Sequence, residues 1–98
     1  MYLHLGQDVM VLSADVVGIF DIENATIRRA TRDFLRAAQR AGRVVEVSGE
    51  LPKSFVICAE KGKKSRERVY LSQISSITLR KRAESLQAAC EELLRREP

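Results

Sequence analysis

Residues 54–82 hold two short apolar runs, Phe-Val-Ile-Cys-Ala and Val-Tyr-Leu, on either side of the turn Lys61-Gly62-Lys63-Lys64-Ser65-Arg66. Short runs of this kind, flanking Gly and charge, predict a β-hairpin with a charged tip. Ser75 and Ser76 follow at once, and either can cap a new helix. The hairpin-plus-helix unit carries two basic clusters: Lys61, Lys63, Lys64, Arg66 and Arg68 at the turn, and Arg80, Lys81 and Arg82 early in the helix. Cations near a helix N-terminus oppose its dipole, so some other gain must offset their cost. The unit reads as a surface built to meet an anion.

The strands before it are constrained as tightly. Tyr2-Leu3-His4-Leu5 and Asp8-Val9-Met10-Val11-Leu12 are joined by Gly6-Gln7, which suits a two-residue type II′ turn. A third apolar run, residues 16–22, has Val17 and Ile19 on one face and Val16, Phe20 and Ile22 on the other. A sheet open to water on one side should alternate. Both faces therefore need cover from a helix, a second sheet or another copy. A chain of 98 residues is short of helices to supply it, which favours self-association.

A helix is predicted over about 27–41, with Asn24 or Thr26 as N-cap and Gly42 as the stop. Ile27, Ala30, Phe34, Ala38 and Ala41 form its apolar stripe. Its other face carries Arg28, Arg29, Arg32, Arg36 and Arg40, four of them successive i,i+4 neighbours. Each such like-charge pair costs a few tenths of a kcal/mol. Asp33 can relieve Arg29; the rest of the ridge needs acids from the N-terminal strands or a polyanion. Residues 44–47 form a fourth strand, and 48–53 a loop around Pro52. In the last helix, about 76–96, Leu79, Ala83, Leu86, Cys90 and Leu93 make a narrow seam whose final turns can project toward a neighbour. The expected fold is one α/β (α+β) domain over 1–98, in the order β-β-β-α-β-β-β-α. Its sheet is small and mostly antiparallel, and 87–98 form a helical extension.

Charge is unevenly placed. Residues 1–27 carry −4, whereas 28–98 hold all 17 Lys and Arg against nine acids. That asymmetry fits a nucleic acid or another anionic partner. No run of about 18 apolar residues suits a membrane span, and no signal-peptide pattern opens the chain. Cys58 and Cys90 lack metal or redox spacing and read as reduced cytoplasmic thiols. His4, the single histidine, has no ligand or catalytic partner at a useful spacing. Gly62-Lys63-Lys64-Ser65 echoes a phosphate-binding loop, but Ile57 stands where its first Gly is required and Lys64 where Ser or Thr is. No enzyme, metal site or cofactor is expected.

Several motifs, in order, resemble the RemA/RemB family of bacterial extracellular-matrix regulators, most closely its RemB branch. They are Met-Tyr-Leu-His-Leu-Gly at the start, Val-Gly-Ile-Phe-Asp at 17–21, Glu-Leu-Pro-Lys-Ser-Phe-Val at 50–56, and Ser-Ser-Ile-Thr-Leu-Arg-Lys-Arg at 75–82. The resemblance covers about 1–86. It implies a small α/β fold, a cytoplasmic location, double-stranded DNA as partner, activation of matrix (biofilm) genes, and homo-oligomers that form rings. RemA-type members carry a Gly-Arg-Arg-Thr-Arg loop to which DNA contact is attributed. Here that stretch is Gly49-Glu50-Leu51-Pro52-Lys53, with only Lys53 basic, and Val16 stands about where a further family arginine lies. The longer basic hairpin tip offers other contacts.

The residues expected to meet DNA are Lys53, Lys63, Lys64, Arg66, Arg80, Lys81 and Arg82. With only 5 % aromatic residues there is little for base stacking, so double strands are favoured over single strands. The alternative is an oligomeric scaffold or interaction module without DNA affinity.

Overall fold

The computed structural model describes residues 1–59 and 67–95. In chain order the elements are β1 (Tyr2–Gly6), β2 (Val9–Leu12), a 3₁₀ turn (Ser13–Asp15), β3 (Val16–Asp21), α1 (Ile22–Ala25), α2 (Arg29–Arg40), β4 (Val44–Glu46), β5 (Ser54–Ala59), β6 (Glu67–Ser72) and α3 (Ser76–Arg95). The fold is α+β, as the sequence implies; α2 is the expected first helix, and the short α1 before it was not expected.

β1 and β2 form a separate two-stranded sheet; the other four strands are ordered β3-β5-β6-β4. β5 pairs antiparallel with β3 and β6, and β4 runs parallel to β6. β3 and β4 therefore point the same way from opposite edges, which requires a long crossover. The α1–α2 segment is that crossover.

Alternation along the strands sends side chains to two cores. Ile19, Val56 and Cys58 face Leu3, Leu5 and Val11 of the hairpin and Leu79 of α3. Phe55 and Val69 face Ala38 of α2, with Phe34 and Leu35 beside it. Both faces of the sheet thus have cover within the chain, one from the second sheet and α3, the other from the crossover helices. The second cover is incomplete: Val17 and Phe20 of β3 remain 67 % and 37 % exposed.

Several local expectations are corrected. The first hairpin turns at Gln7-Asp8 rather than Gly6-Gln7, because Gly6 pairs with Val9 and the register shifts after His4. Gly6 adopts φ 120°, and a Cβ there would lie 3.3 Å from Val47, so glycine is needed for both conformation and space. β3 ends one residue before the expected Ile22, because Asp21 caps α1: its Oδ1 accepts from the Glu23 and Asn24 amides at 2.9 and 3.3 Å. Neither Asn24 nor Thr26 is an N-cap. Thr26 instead donates its hydroxyl to the Ile22 carbonyl at 2.6 Å. Arg32 Nη1 then donates to the carbonyls of Thr26 and Ile27 at 2.8 and 3.1 Å, holding the corner between the two helices. This corner excludes Ile27 from α2. Ala30 and Ala41 are exposed too, and the inward stripe is Thr31, Phe34, Leu35 and Ala38.

Ser75 caps α3, its hydroxyl accepting from the Thr78 amide at 3.2 Å. Leu79, Ala83 and Leu86 pack on the first core. Beyond Leu86 the expected seam has nothing to pack on: residues 87–95 are all exposed, Leu94 by 70 %.

These differences in burial predict opposite responses to truncation. Leu79→Ala removes a fully buried side chain and should cost about 2–5 kcal/mol of stability. Deleting 87–98 should change it by less than about 0.5 kcal/mol, because the described part of that segment is solvated. Denaturant titration of both variants measures the contrast.

Candidate nucleic-acid interface

The basic residues separate into groups with different surroundings. Those of α2 follow from its wheel. Phe34, Leu35 and Ala38 turn inward, so Arg28, Arg29, Arg32, Arg36 and Arg40 stand on the outer face, all exposed. Arg32 is engaged at the helix corner. Arg29 Nε lies 3.9 Å from Asp33 Oδ2, the one ion pair between two described residues. Both groups are well exposed, so the pair contributes little. The side chains of Arg28, Arg36 and Arg40 make no hydrogen bond or ion pair with another described residue. The acids of the N-terminal strands do not reach the ridge: Asp21 caps α1, and Asp15 lies beside Cys58 on the other side of the sheet.

The cluster early in α3 is partly occupied in holding the fold. Arg80 Nη2 donates to the Ile19 carbonyl at 2.7 Å, tying α3 to β3. Arg82 Nη1 reaches the His4 carbonyl at 3.3 Å, tying it to β1. Lys81, between them, is exposed and has no such bond to a described residue. Each guanidinium retains further N–H groups that can meet an anion.

Lys53 is exposed, and its backbone bridges the sheet to α1: its amide donates to the Ser72 carbonyl at 2.8 Å and its carbonyl accepts from Ile22 at 3.1 Å. The hairpin-tip residues Lys63, Lys64 and Arg66, with Lys61, lie outside the described residues. α3 starts near the Ser54–Ser72 pair, whereas Ala59 and Glu67 lead into and out of the tip. Beside Lys53, the loop presents Glu50 and Leu51, the latter 88 % exposed.

Several clefts open on the surface. Tyr2, Met10, Asp15, Cys58, Arg68 and Tyr70 line one of about 250 Å³. Burial, and secondarily Asp15, push the Cys58 thiol up to about 11, so at neutral pH it is protonated and a poor nucleophile. His4 Nε2 donates to the Gln7 carbonyl at 2.6 Å, bracing the turn. Among the described residues no group of three or more His, Cys, Asp or Glu could hold a metal ion. No described helix is long and apolar enough to cross a membrane.

Fold and charge together define a class: a small α+β domain with a cationic helical face. The family model for RemA-like proteins, described as extracellular matrix regulatory protein A-like, matches residues 2–83. Extracellular matrix regulatory protein B of Bacillus subtilis (strain 168) is 37 % identical over 84 residues, covering 86 % of this chain and 91 % of that protein. The chain belongs to the RemA-like family and resembles its B-type member. The family match ends inside α3, just before the exposed turns.

Two measurements check these assignments. Arg80→Ala should lower stability by about 1–2 kcal/mol because a charge-assisted hydrogen bond is removed, whereas Lys81→Ala should change it by less than about 0.5. For Cys58 the folded pKa is raised, so the unfolded chain loses its proton first. The contribution is intact below pH 9.0 and is lost as pH rises toward about 11. Below that window, alkylation should label exposed Cys90 in the native protein and reach buried Cys58 only after denaturation.

Proposed function

We propose that this protein is a non-enzymatic, cytoplasmic regulator of extracellular-matrix genes that binds double-stranded DNA as a homo-oligomer. The observation that carries the reading is positive charge left without partners: exposed Arg28, Arg36, Arg40 and Lys81 face no described acid within ion-pair distance. Membership of the RemA-like family and the name of the B-type relative supply the regulatory context. Binding through phosphates and DNA shape suits a cationic surface with few aromatic residues better than base stacking does. Lys53, Lys63, Lys64, Arg66, Arg80, Lys81 and Arg82 remain candidate DNA-binding residues.

Self-association is supported by an apolar groove of about 390 Å³ lined by Val17, Phe20, Ala25, Phe34, Phe55 and Ile57, among others. Exposed apolar surface of this kind commonly marks an interface. Linked copies would multiply modest phosphate interactions into avidity, provided the DNA can reach several of them.

Mobility shift of double-stranded DNA at two salt concentrations, with light scattering for mass, tests the reading. Binding that weakens with salt, by a protein heavier than 11.0 kDa, is expected. An oligomer that leaves DNA unshifted at low salt would establish the scaffold alternative instead.

A further inference from the structure

We infer that the outward face of α2, through Arg28, Arg36 and Arg40, is a surface on which this chain holds the phosphates of double-stranded DNA. The inference rests on the DNA-binding reading above and assigns a place for it that neither the hairpin tip nor α3 supplies.

The helix is built against its own stability. Its N-cap is Arg28, which makes no side-chain capping bond, and no acid stands in its first turn. Ser, Thr, Asp or Asn would satisfy an open amide at that position, and an acid would complement the dipole. Arg29 follows at the first helical position, and Arg28, Arg32, Arg36 and Arg40 then repeat at like-charge i,i+4 spacing. Among these, Arg32 has a structural task at the corner and Arg29 has Asp33. Arg28, Arg36 and Arg40 have no partner among the described residues. Arg40, in the last turn, is well placed for the helix dipole, but Arg28 at the N-cap stands against it, and the repeated like-charge spacing is not relieved by a described acid.

The spacing suits a polyanion. Successive i,i+4 arginines rise about 6 Å along the axis, and the row from 28 to 40 spans about 18 Å. Duplex DNA carries one charge per roughly 1.7 Å of its axis, so a row of that length faces several phosphates. The composition of the face also separates DNA from a protein partner. Protein interfaces concentrate apolar side chains at their centre and are depleted of charge there. This face presents arginines, Asp33 and Gln39, and its large apolar neighbours Phe34 and Leu35 turn inward.

The sign of the stability change gives the test. In the full chain, Arg28→Ser, Arg36→Gln and Arg40→Gln are combined, leaving Arg29 and Arg32 in place; a companion variant replaces the same three arginines by lysine. Binding to a duplex of arbitrary sequence, Tm and mass by light scattering are measured for both and for the parent. The expected result is a Tm above that of the parent, unchanged mass, and at least about tenfold weaker DNA binding. The slope of log affinity against log salt should flatten by roughly 0.9 for each phosphate no longer neutralised. The lysine variant should keep most of the slope. Lower Tm with lower mass would overturn the proposal and assign the ridge to acids of a neighbouring copy. Unchanged affinity and slope would also overturn it, leaving the ridge a solvated face. A combined Lys63→Ala, Lys64→Ala and Arg66→Ala variant distinguishes the two levels. If it alone loses affinity, DNA binding stands and the phosphates are held at the tip. If the parent protein binds no duplex at low salt, the functional reading itself fails.

Discussion

The Ser72 hydroxyl holds together parts of the fold that lie far apart in the sequence. It is fully buried at the end of β6, donates to the Leu5 carbonyl at 2.6 Å and accepts from the Ile74 amide at 3.1 Å. One oxygen thereby joins the N-terminal hairpin, the central sheet and the turn into α3. Ser54, its neighbour across the β5–β6 pair, is buried as well and donates to the Ile74 carbonyl at 2.7 Å. A buried hydroxyl without a partner is costly, so these bonds specify one arrangement of the layers as well as stabilising it. With that corner fixed, Arg80 and Arg82 reach backbone carbonyls on β3 and β1, and Leu79 enters the core.

The two faces of the sheet are completed differently. The hairpin and α3 close the first face with large aliphatic side chains. On the second, α2 contributes its only fully buried residue, Ala38, and covers the β4–β6 side, leaving an apolar groove toward β3. The outer side of the same helix is the arginine ridge. α2 thus separates an apolar surface from a cationic one, and the proposed oligomer and the proposed DNA complex use its opposite sides.

Periodicity made the six strands, the last helix and the inward turns of Leu79, Ala83 and Leu86 legible, because each depends on local pattern. The parallel pairing of β4 with β6 depends on where the crossover lands, which no local pattern records. Asp21 was hidden as a cap because it continues an apolar strand run, and helix and strand signals overlap at one residue. Ile27 looked like the start of the buried stripe, but the Thr26 and Arg32 bonds turn the chain there and reset the phase by which α2 meets the sheet. For the candidate interface, the ridge was legible as charge. Its freedom from the N-terminal acids was not, since that required knowing that Asp21 and Asp15 are placed elsewhere. The expected tip residues Lys63, Lys64 and Arg66 lie outside the described residues, and Arg80 and Arg82 took on anchoring roles that composition alone could not announce.

At Gly18 the ring of Phe20 lies back over the strand, so close that a Cβ on the glycine would come within 2.6 Å of ring carbons Cε2 and Cζ. In that position the ring stacks on Phe55, with centroids 5.0 Å apart. A single methyl group at position 18 would lever the ring away and reshape the groove floor without touching the central core. The depth of the groove is therefore set by one missing carbon atom, which makes an ordinary glycine on an edge strand the gauge of how closely anything can settle there.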